Sequence, residues 1–217
     1  DKDIPVVFCA VADPMSIGLV ESMEKPGFNC SGTSDVLDMA AQVKLIRAMQ
    51  PDVKKIGVLY TTSEANSITQ LGLLEEAAKA YGIEIIASGI QNDADIPAAA
   101  TALAAKVDCF NNFTDNKVVN NLSVVLEATN AAGIPVYGSE IEQVKNGCLA
   151  SVSIDYVALG KVTGNMAADA LEGAKLADMA VKTISDATPV VNTDVLAAFG
   201  MTLPADYADI ETVTTNK

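Results

Sequence analysis

Histidine and tryptophan are absent from this chain of 217 residues, and aromatic residues make up only 5% of it. Without histidine neither a Ser-His-Asp nor a Cys-His mechanism is available, and the common zinc sites are excluded. The four cysteines form no C-x-x-C pair, which excludes a zinc ribbon and a thioredoxin motif. No glycine-rich nucleotide-binding motif is present either. We therefore expect no bound metal and no cofactor.

Basic residues are also scarce. The chain has 14 Lys and Arg against 28 Asp and Glu, which gives a formal net charge of −14. A nucleic-acid binder needs a basic face to neutralise phosphates, so the composition excludes nucleic-acid partners. The longest charge-free apolar run, residues 4–12, is too short to cross a bilayer, and no signal-peptide pattern is present.

Aliphatic residues are plentiful: hydrophobic residues make up 50% of the chain, which favours layered α/β packing. Hydrophobic periodicity predicts strands and helices in alternation. The predicted strands are 4–12, 56–60, 83–88, 107–112, 134–137, 148–153 and 189–192. The predicted helices are 34–49 (capped by Ser34 and ending before Pro51), 68–81, 95–105, 116–132, 140–144, 155–171 and 194–199.

This alternation predicts two α/β lobes. The five consecutive strands between residues 56 and 153 complete one doubly wound parallel sheet, because short β-α connections put helices on both faces. Residues 53–154 and 188–217 are predicted to form this complete, C-terminal lobe. Residues 1–52 and 155–187 are predicted to form an incomplete N-terminal lobe.

Polar residues follow the predicted strands, where open α/β sheets bind their ligands. Hydroxyls and amides beside helix N-termini suit a carboxylate, and acids at the same edge suit an ammonium group, so the pattern fits a zwitterion. We expect Asp115 to bind the ammonium, and Ser63, Asn66 and Ser67 to bind the carboxylate. The full candidate set after the strands is Ser63, Glu64, Asn66, Ser67, Thr114, Asp115, Asn116, Ser139 and Asp155.

A plainer interpretation is helix capping, because Ser, Thr, Asp and Asn are the preferred N-cap residues. It accounts for Ser63, Asn66, Ser139 and Asp155 taken singly. Residues 114–116 offer three polar groups where one cap suffices, and Glu64 is expected to be solvated.

The cysteines suggest no obvious chemistry. Cys9, Cys109 and Cys148 fall within strand patterns and are predicted to be buried, whereas Cys30 has polar neighbours.

Several segments together resemble one family. They are residues 3–8, 11–14 and 18–20, then 54–60 with 63–67, then 114–116, and finally 155–156, 159–160 and 163–164. The chain resembles the ABC transporter substrate-binding family that includes the tryptophan- and tyrosine-binding lipoproteins, over essentially its whole length to Leu203. The resemblance implies a type I periplasmic-binding-protein fold without catalysis, with an amino acid bound between two lobes. It adds Asp13 and Pro14 to the cleft from the other lobe.

The resemblance also implies an extracytoplasmic protein, lipid-anchored or periplasmic, that delivers its ligand to an ABC permease. Such proteins carry further β-α units before the equivalent of Ile4 and a lipid-anchored cysteine, so the chain is expected to be a fragment. The incomplete lobe is then predicted to be disordered, repacked or paired with a second copy. Two alternatives remain open: a cofactor-independent racemase using facing thiols, and a sensory ligand-binding module.

Overall fold

The computed structural model describes residues 4–184 and 188–216. The chain divides into two compact units. The first unit comprises Asp1–Leu37 and Ile154–Ala187, and the second comprises Asp38–Ser153 and Thr188–Lys217. None of the described helices is long and apolar enough to span a bilayer.

Strands and helices alternate along the chain. The strands are β1 (Val6–Phe8), β2 (Cys30–Ser34), β3 (Lys55–Thr61), β4 (Glu84–Ile90), β5 (Cys109–Asn111), β6 (Val136–Tyr137), β7 (Ala150–Ser153), β8 (Lys182–Thr183), β9 (Thr188–Asn192) and β10 (Glu211–Val213). The helices are α1 (Met39–Met49), α2 (Ala65–Lys79), α3 (Ile96–Ala104), α4 (Asn116–Asn120), α5 (Leu122–Ala132), α6 (Ile141–Lys145), α7 (Tyr156–Leu171) and α8 (Thr193–Ala198).

The second unit is built on parallel strands in the order β4-β3-β5-β6. A second group, β10-β9-β7, continues from β6 through two backbone hydrogen bonds, from Gly138 N to Ala150 O and from Leu149 N to Val136 O. Strand β9, which lies outside the five strands predicted to form the parallel sheet, runs antiparallel to β7.

Helices cover both faces of this sheet. Helices α1 and α2 contact each other, as do α3 and α5, and β3 is buried on both sides. Val58 is 0% exposed and Leu59 is 1% exposed, as expected for a strand with helices on both faces. The core on the α3–α5 side is aliphatic with one aromatic ring and includes Leu59, Ile96, Leu103, Phe110, Val118 and Val125.

The first unit contains the parallel strands β1-β2-β8, with α7 packed on β1 and β2. Gly32 pairs with Phe8, and a Cβ at Gly32 would fall on the Phe8 carbonyl oxygen, so this close approach requires glycine. Phe8, Val20 and Val181 form a small core.

The element predictions are largely confirmed in the second unit and less so in the first. Strand β1 is shorter than the predicted 4–12, and β2, β8 and β10 were not predicted. Ser34 ends β2 instead of capping a helix; the N-cap of α1 is Asp38, whose carboxylate accepts from Ala41 N. The predicted helix 116–132 is divided at Asn121 into α4 and α5.

The first boundary between the units lies at residue 37/38 and differs from the predicted 52/53. Helix α1 belongs to the second unit, where the side chain of Gln42, which is 3% exposed, makes three hydrogen bonds. Its amide nitrogen donates to Asn111 Oδ1 and Gly138 O, and its carbonyl oxygen accepts from Val152 N.

Candidate functional site

The carboxyl ends of β3, β5 and β6 bring most of the predicted residues to one edge of the second unit. Because β5 lies between β3 and β6, residues 61–67, 114–116 and 138–140 follow three neighbouring strands. We call these three segments the strand-end edge. It is the place where open α/β sheets bind ligands.

Asp115 organises this edge through four hydrogen bonds to its fully buried carboxylate. Oδ2 accepts from Thr61 N at 2.6 Å and Ser67 Oγ at 2.6 Å, and Oδ1 accepts from Thr61 Oγ1 at 2.8 Å and Val118 N at 3.1 Å. We call Thr61, Ser67, Asp115 and Val118 the Asp115 cluster. It ties the end of β3 and the start of α2 to the start of α4.

These contacts revise the role expected for Asp115. A carboxylate has about four lone-pair positions, and here the chain itself occupies four. The side chain therefore positions two loops and leaves no acceptor position for a ligand's ammonium. The role predicted for Ser67, binding the ligand's carboxylate, changes for the same reason, because its hydroxyl donates to Asp115.

Thr114 is held by two side chains of α2. Gln70 Nε2 donates to Thr114 Oγ1 at 2.7 Å, Thr114 N donates to Gln70 Oε1 at 3.3 Å, and Asn66 Nδ2 donates to Thr114 O at 3.2 Å. Gln70, 2% exposed, was missed by the sequence analysis. Gln70 could have been found from its position three residues after Ser67, because residues three apart lie on the same face of a helix.

Glu64 and Asn116 form a second link between α2 and α4. Glu64 Oε2 accepts from Asn116 N at 3.1 Å and from Asn116 Nδ2 at 2.9 Å. The Glu64 side chain is half-buried and bridges two loops, so it is less fully solvated than expected.

The first turn of α2 is therefore left without a side-chain cap. Glu64 is the N-cap residue, but it makes no capping hydrogen bond. The backbone N–H groups of Ala65, Asn66 and Ser67 have no acceptor among the described residues, and the neighbouring Ser63 is exposed. Uncapped N–H groups and a helix dipole favour an anion at this position.

Ser139 and Glu140 are both committed to local structure at the end of β6. Ser139 Oγ donates to Asn112 O at 2.6 Å. Glu140 caps α6 by accepting from Glu142 N and Gln143 N, both at 2.7 Å, and burial raises its pKa.

The remaining predicted residues belong to the first unit. Asp155 is exposed and is the N-cap of α7, accepting from Ala158 N at 2.9 Å, as the capping interpretation predicts. Asp13 is half-buried and accepts from Ser16 N at 3.0 Å. Asp35 directly follows β2 and is 9% exposed, but it is not among the residues predicted from the sequence. Burial raises the pKa of Asp35, and a hydrogen bond from the Tyr156 hydroxyl partly opposes that rise.

A family model described as ABC transporter substrate binding protein matches residues 1–209. The chain belongs to this family. The chain is 40% identical over 200 residues to a tyrosine-binding protein of Clostridioides difficile (strain R20291). That match covers 92% of this chain and 58% of the relative, so the chain spans little more than half of that protein's length.

Two solved structures are similar to the chain over nearly its whole length. An ABC domain from Streptococcus pneumoniae in complex with L-Trp matches with a TM-score of 0.93 at 34% identity, covering 98% of this chain and 73% of that one. A ligand-free, open substrate-binding protein with adhesive properties from Clostridium difficile matches with a TM-score of 0.80 at 38% identity, over 100% and 73% of the chains.

A more distant likeness concerns the fold alone. A periplasmic-binding ribose operon repressor from Lactobacillus acidophilus matches with a TM-score of 0.60 at 9% identity, over 84% of this chain and 66% of that one. The prediction of an α/β, type I periplasmic-binding-protein fold is confirmed.

The four cysteines differ in exposure. Cys109 and Cys148 are fully buried as predicted, and burial raises the pKa of both thiols well above the usual range. The prediction for Cys9 is wrong, because its side chain is exposed at the end of the short β1. Within residues 4–184 and 188–216, no cluster of three or more His, Cys, Asp or Glu side chains is placed to hold a metal.

Proposed function

We propose that this chain is the ligand-binding part of an ABC importer and that it binds an amino acid, preferably an aromatic one, as a zwitterion. The observation that carries the proposal is the uncapped N-terminus of α2 beside Ser63 and Asn66. The names of the relatives, one tyrosine-binding and one in complex with L-Trp, support the choice of ligand class.

The ligand's carboxylate is assigned to the first turn of α2. Three backbone N–H groups point along the helix axis toward this position, and Ser63 and Asn66 supply side-chain donors. Hydrogen bonds to an ionised carboxylate are about twice as strong as neutral ones. The Asp115 cluster supports this role, because it fixes the end of β3 against the start of α2 before any ligand arrives.

Asn116 is assigned to the same site through its link to Glu64. The two side chains hold each other at the exposed mouth of the strand-end edge, and each keeps unused hydrogen-bonding positions. Thr114 and Ser139 support the site without contacting the ligand, because the Thr114 hydroxyl accepts from Gln70 and the Ser139 hydroxyl donates to the Asn112 carbonyl.

The first unit is proposed to complete the site, with the amino acid enclosed between the units and Asp13 and Asp155 among the residues of the second wall. Binding and release are then the whole task, with no catalytic step. The protein is assigned to the outer side of the cell membrane, lipid-anchored or periplasmic, with an ABC permease as its partner.

A racemase is the weaker candidate. Its mechanism needs two accessible thiols that exchange a proton with the ligand, one of them as a thiolate. Cys109 and Cys148 are fully buried and their pKa values are raised, so neither supplies a thiolate near neutral pH.

A thermal-shift series with the twenty L-amino acids tests the proposal. A ligand that binds only the folded state at a hundredfold excess over its Kd stabilises it by about 2.7 kcal/mol. We expect tyrosine or tryptophan to give the largest rise in melting temperature. The Ser63→Ala/Asn66→Ala variant should lose most of that rise, whereas Ser123→Ala, an exposed serine on α5, should keep it. No rise with any amino acid would contradict the proposal.

A further inference from the structure

Asp35 is a buried acid that local structure does not explain. It directly follows β2, whose backbone pairs with β1 on one side and β8 on the other. Its position at the carboxyl end of a central parallel strand is the one at which open α/β sheets bind ligands. The side chain is 9% exposed.

One oxygen of Asp35 is satisfied and the other is not. Oδ2 accepts from the Tyr156 hydroxyl at 3.0 Å. Oδ1 is buried and has no hydrogen-bond partner among the described residues. Among the described residues the salt bridges are Lys55–Glu84, Lys79–Glu76 and Lys145–Glu142. None of them involves Asp35.

A comparison with the Asp115 carboxylate shows that Asp35 lacks hydrogen-bond donors. Both carboxylates follow a parallel strand, but Asp115 accepts four hydrogen bonds and Asp35 Oδ1 accepts none. Burying a carboxylate without a partner is costly, and proteins normally pair such a group or protonate it. A cationic donor supplied by a ligand would remove this cost.

We propose that Asp35 Oδ1 accepts a hydrogen bond from the ammonium group of the bound amino acid, while Tyr156 holds the other oxygen in place. The inference rests on the proposed function and names the residue that recognises the ligand's cation. It moves the role first expected of Asp115 to the other unit. Tyr156 is a positioning residue, because it acts through the carboxylate.

Calorimetric titration with a matched ligand pair tests this assignment. L-Tyrosine and 3-(4-hydroxyphenyl)propanoic acid differ only in the ammonium group. For the wild type we expect tyrosine to bind at least about tenfold tighter, the strength of one charge-assisted hydrogen bond. Asp35→Asn should remove this preference by weakening tyrosine alone. Tyr156→Phe should reduce it by a smaller factor.

Two controls separate recognition from folding. Asp169→Asn changes an exposed acid on α7 of the same unit and should leave both affinities unchanged. At neutral pH the melting temperature of ligand-free Asp35→Asn should equal or exceed that of the wild type, because the variant removes the charge of a buried carboxylate whose Oδ1 has no hydrogen-bond partner. A lower melting temperature would make Asp35 a structural residue and overturn the inference.

The outcomes also distinguish this inference from the proposed function. If Asp35→Asn keeps the wild-type preference for tyrosine over its deaminated analogue, the assignment of Asp35 is wrong and the proposed function stands. The same holds if the variant weakens both ligands equally. If the wild type binds no amino acid, the proposed function fails and this inference fails with it.

Discussion

Replacing Asp115 by asparagine should destabilise the second unit, and the hydrogen bonds show why. The carboxylate accepts from two hydroxyls and two backbone N–H groups, and each oxygen takes one of each kind. Asparagine keeps one acceptor oxygen and replaces the other by an NH2 group. A hydroxyl can rotate away from this NH2, but the backbone N–H of Thr61 or Val118 cannot.

Either orientation of the asparagine therefore leaves one buried backbone N–H facing another donor. An unsatisfied buried group costs about 1–3 kcal/mol, and the loss of the charged acceptor weakens the remaining hydrogen bonds. We expect a total loss of about 2–4 kcal/mol in the free energy of unfolding. For a chain of this size that corresponds to a fall of roughly 4–16 °C in melting temperature.

Thermal unfolding monitored by circular dichroism measures this effect. The control is Asp38→Asn, which changes the exposed N-cap of α1 to an equally good cap and should alter stability by less than about 0.5 kcal/mol. A melting temperature of Asp115→Asn equal to that of Asp38→Asn would refute the view that Asp115 holds the two loops together.

Three further predictions follow from particular contacts. Tyrosinamide should bind at least about tenfold more weakly than tyrosine in calorimetry, because α2 presents N–H donors to a carboxylate; equal affinities would contradict this placement. Gly32→Ala should lower the melting temperature measured by calorimetry, because the new Cβ would strike the Phe8 carbonyl; an unchanged value would contradict the close approach of β1 and β2. Burial raises the pKa of Asp35, so this carboxyl stabilises the fold most below its unfolded pKa, and the contribution is lost as pH rises through the folded value. The melting temperature of the wild type relative to Asp35→Asn should therefore fall as pH rises above the ordinary aspartate pKa of about 4; a constant difference would contradict the raised pKa.

The α2 helix shows how far sequence reasoning reached and where it stopped. Its existence follows from hydrophobic periodicity, but the apolar residue Ile68 is 52% exposed. Ser67 and Gln70 face inward instead, because their partners Asp115 and Thr114 come from the end of a neighbouring strand. A hydropathy pattern carries no information about such a pairing between residues distant in sequence.

Strand β2 was missed for a related reason. Its sequence, Cys30–Ser34, has a glycine, a threonine and two serines and lacks the apolar alternation of a typical strand. It forms because β1 and β8 supply parallel partners on both sides, a tertiary effect. Assigning Ser34 to a helix also concealed Asp35. The segments 63–67 and 114–116, by contrast, were predictable, because strand order alone brings the ends of adjacent parallel strands together.

Chemical-shift mapping by NMR tests the central claim, that the strand-end edge binds an amino acid. Titrating L-tyrosine into the 15N-labelled protein should shift the backbone amides of 62–67 and 114–116 and the side-chain amide of Asn66, with saturation at one ligand per chain. A cavity of about 500 Å³ at the opposite edge of the sheet, lined in part by Val53, Val107 and Phe199, provides the contrast. Shifts confined to that cavity, or none at saturating tyrosine and tryptophan, would contradict the account.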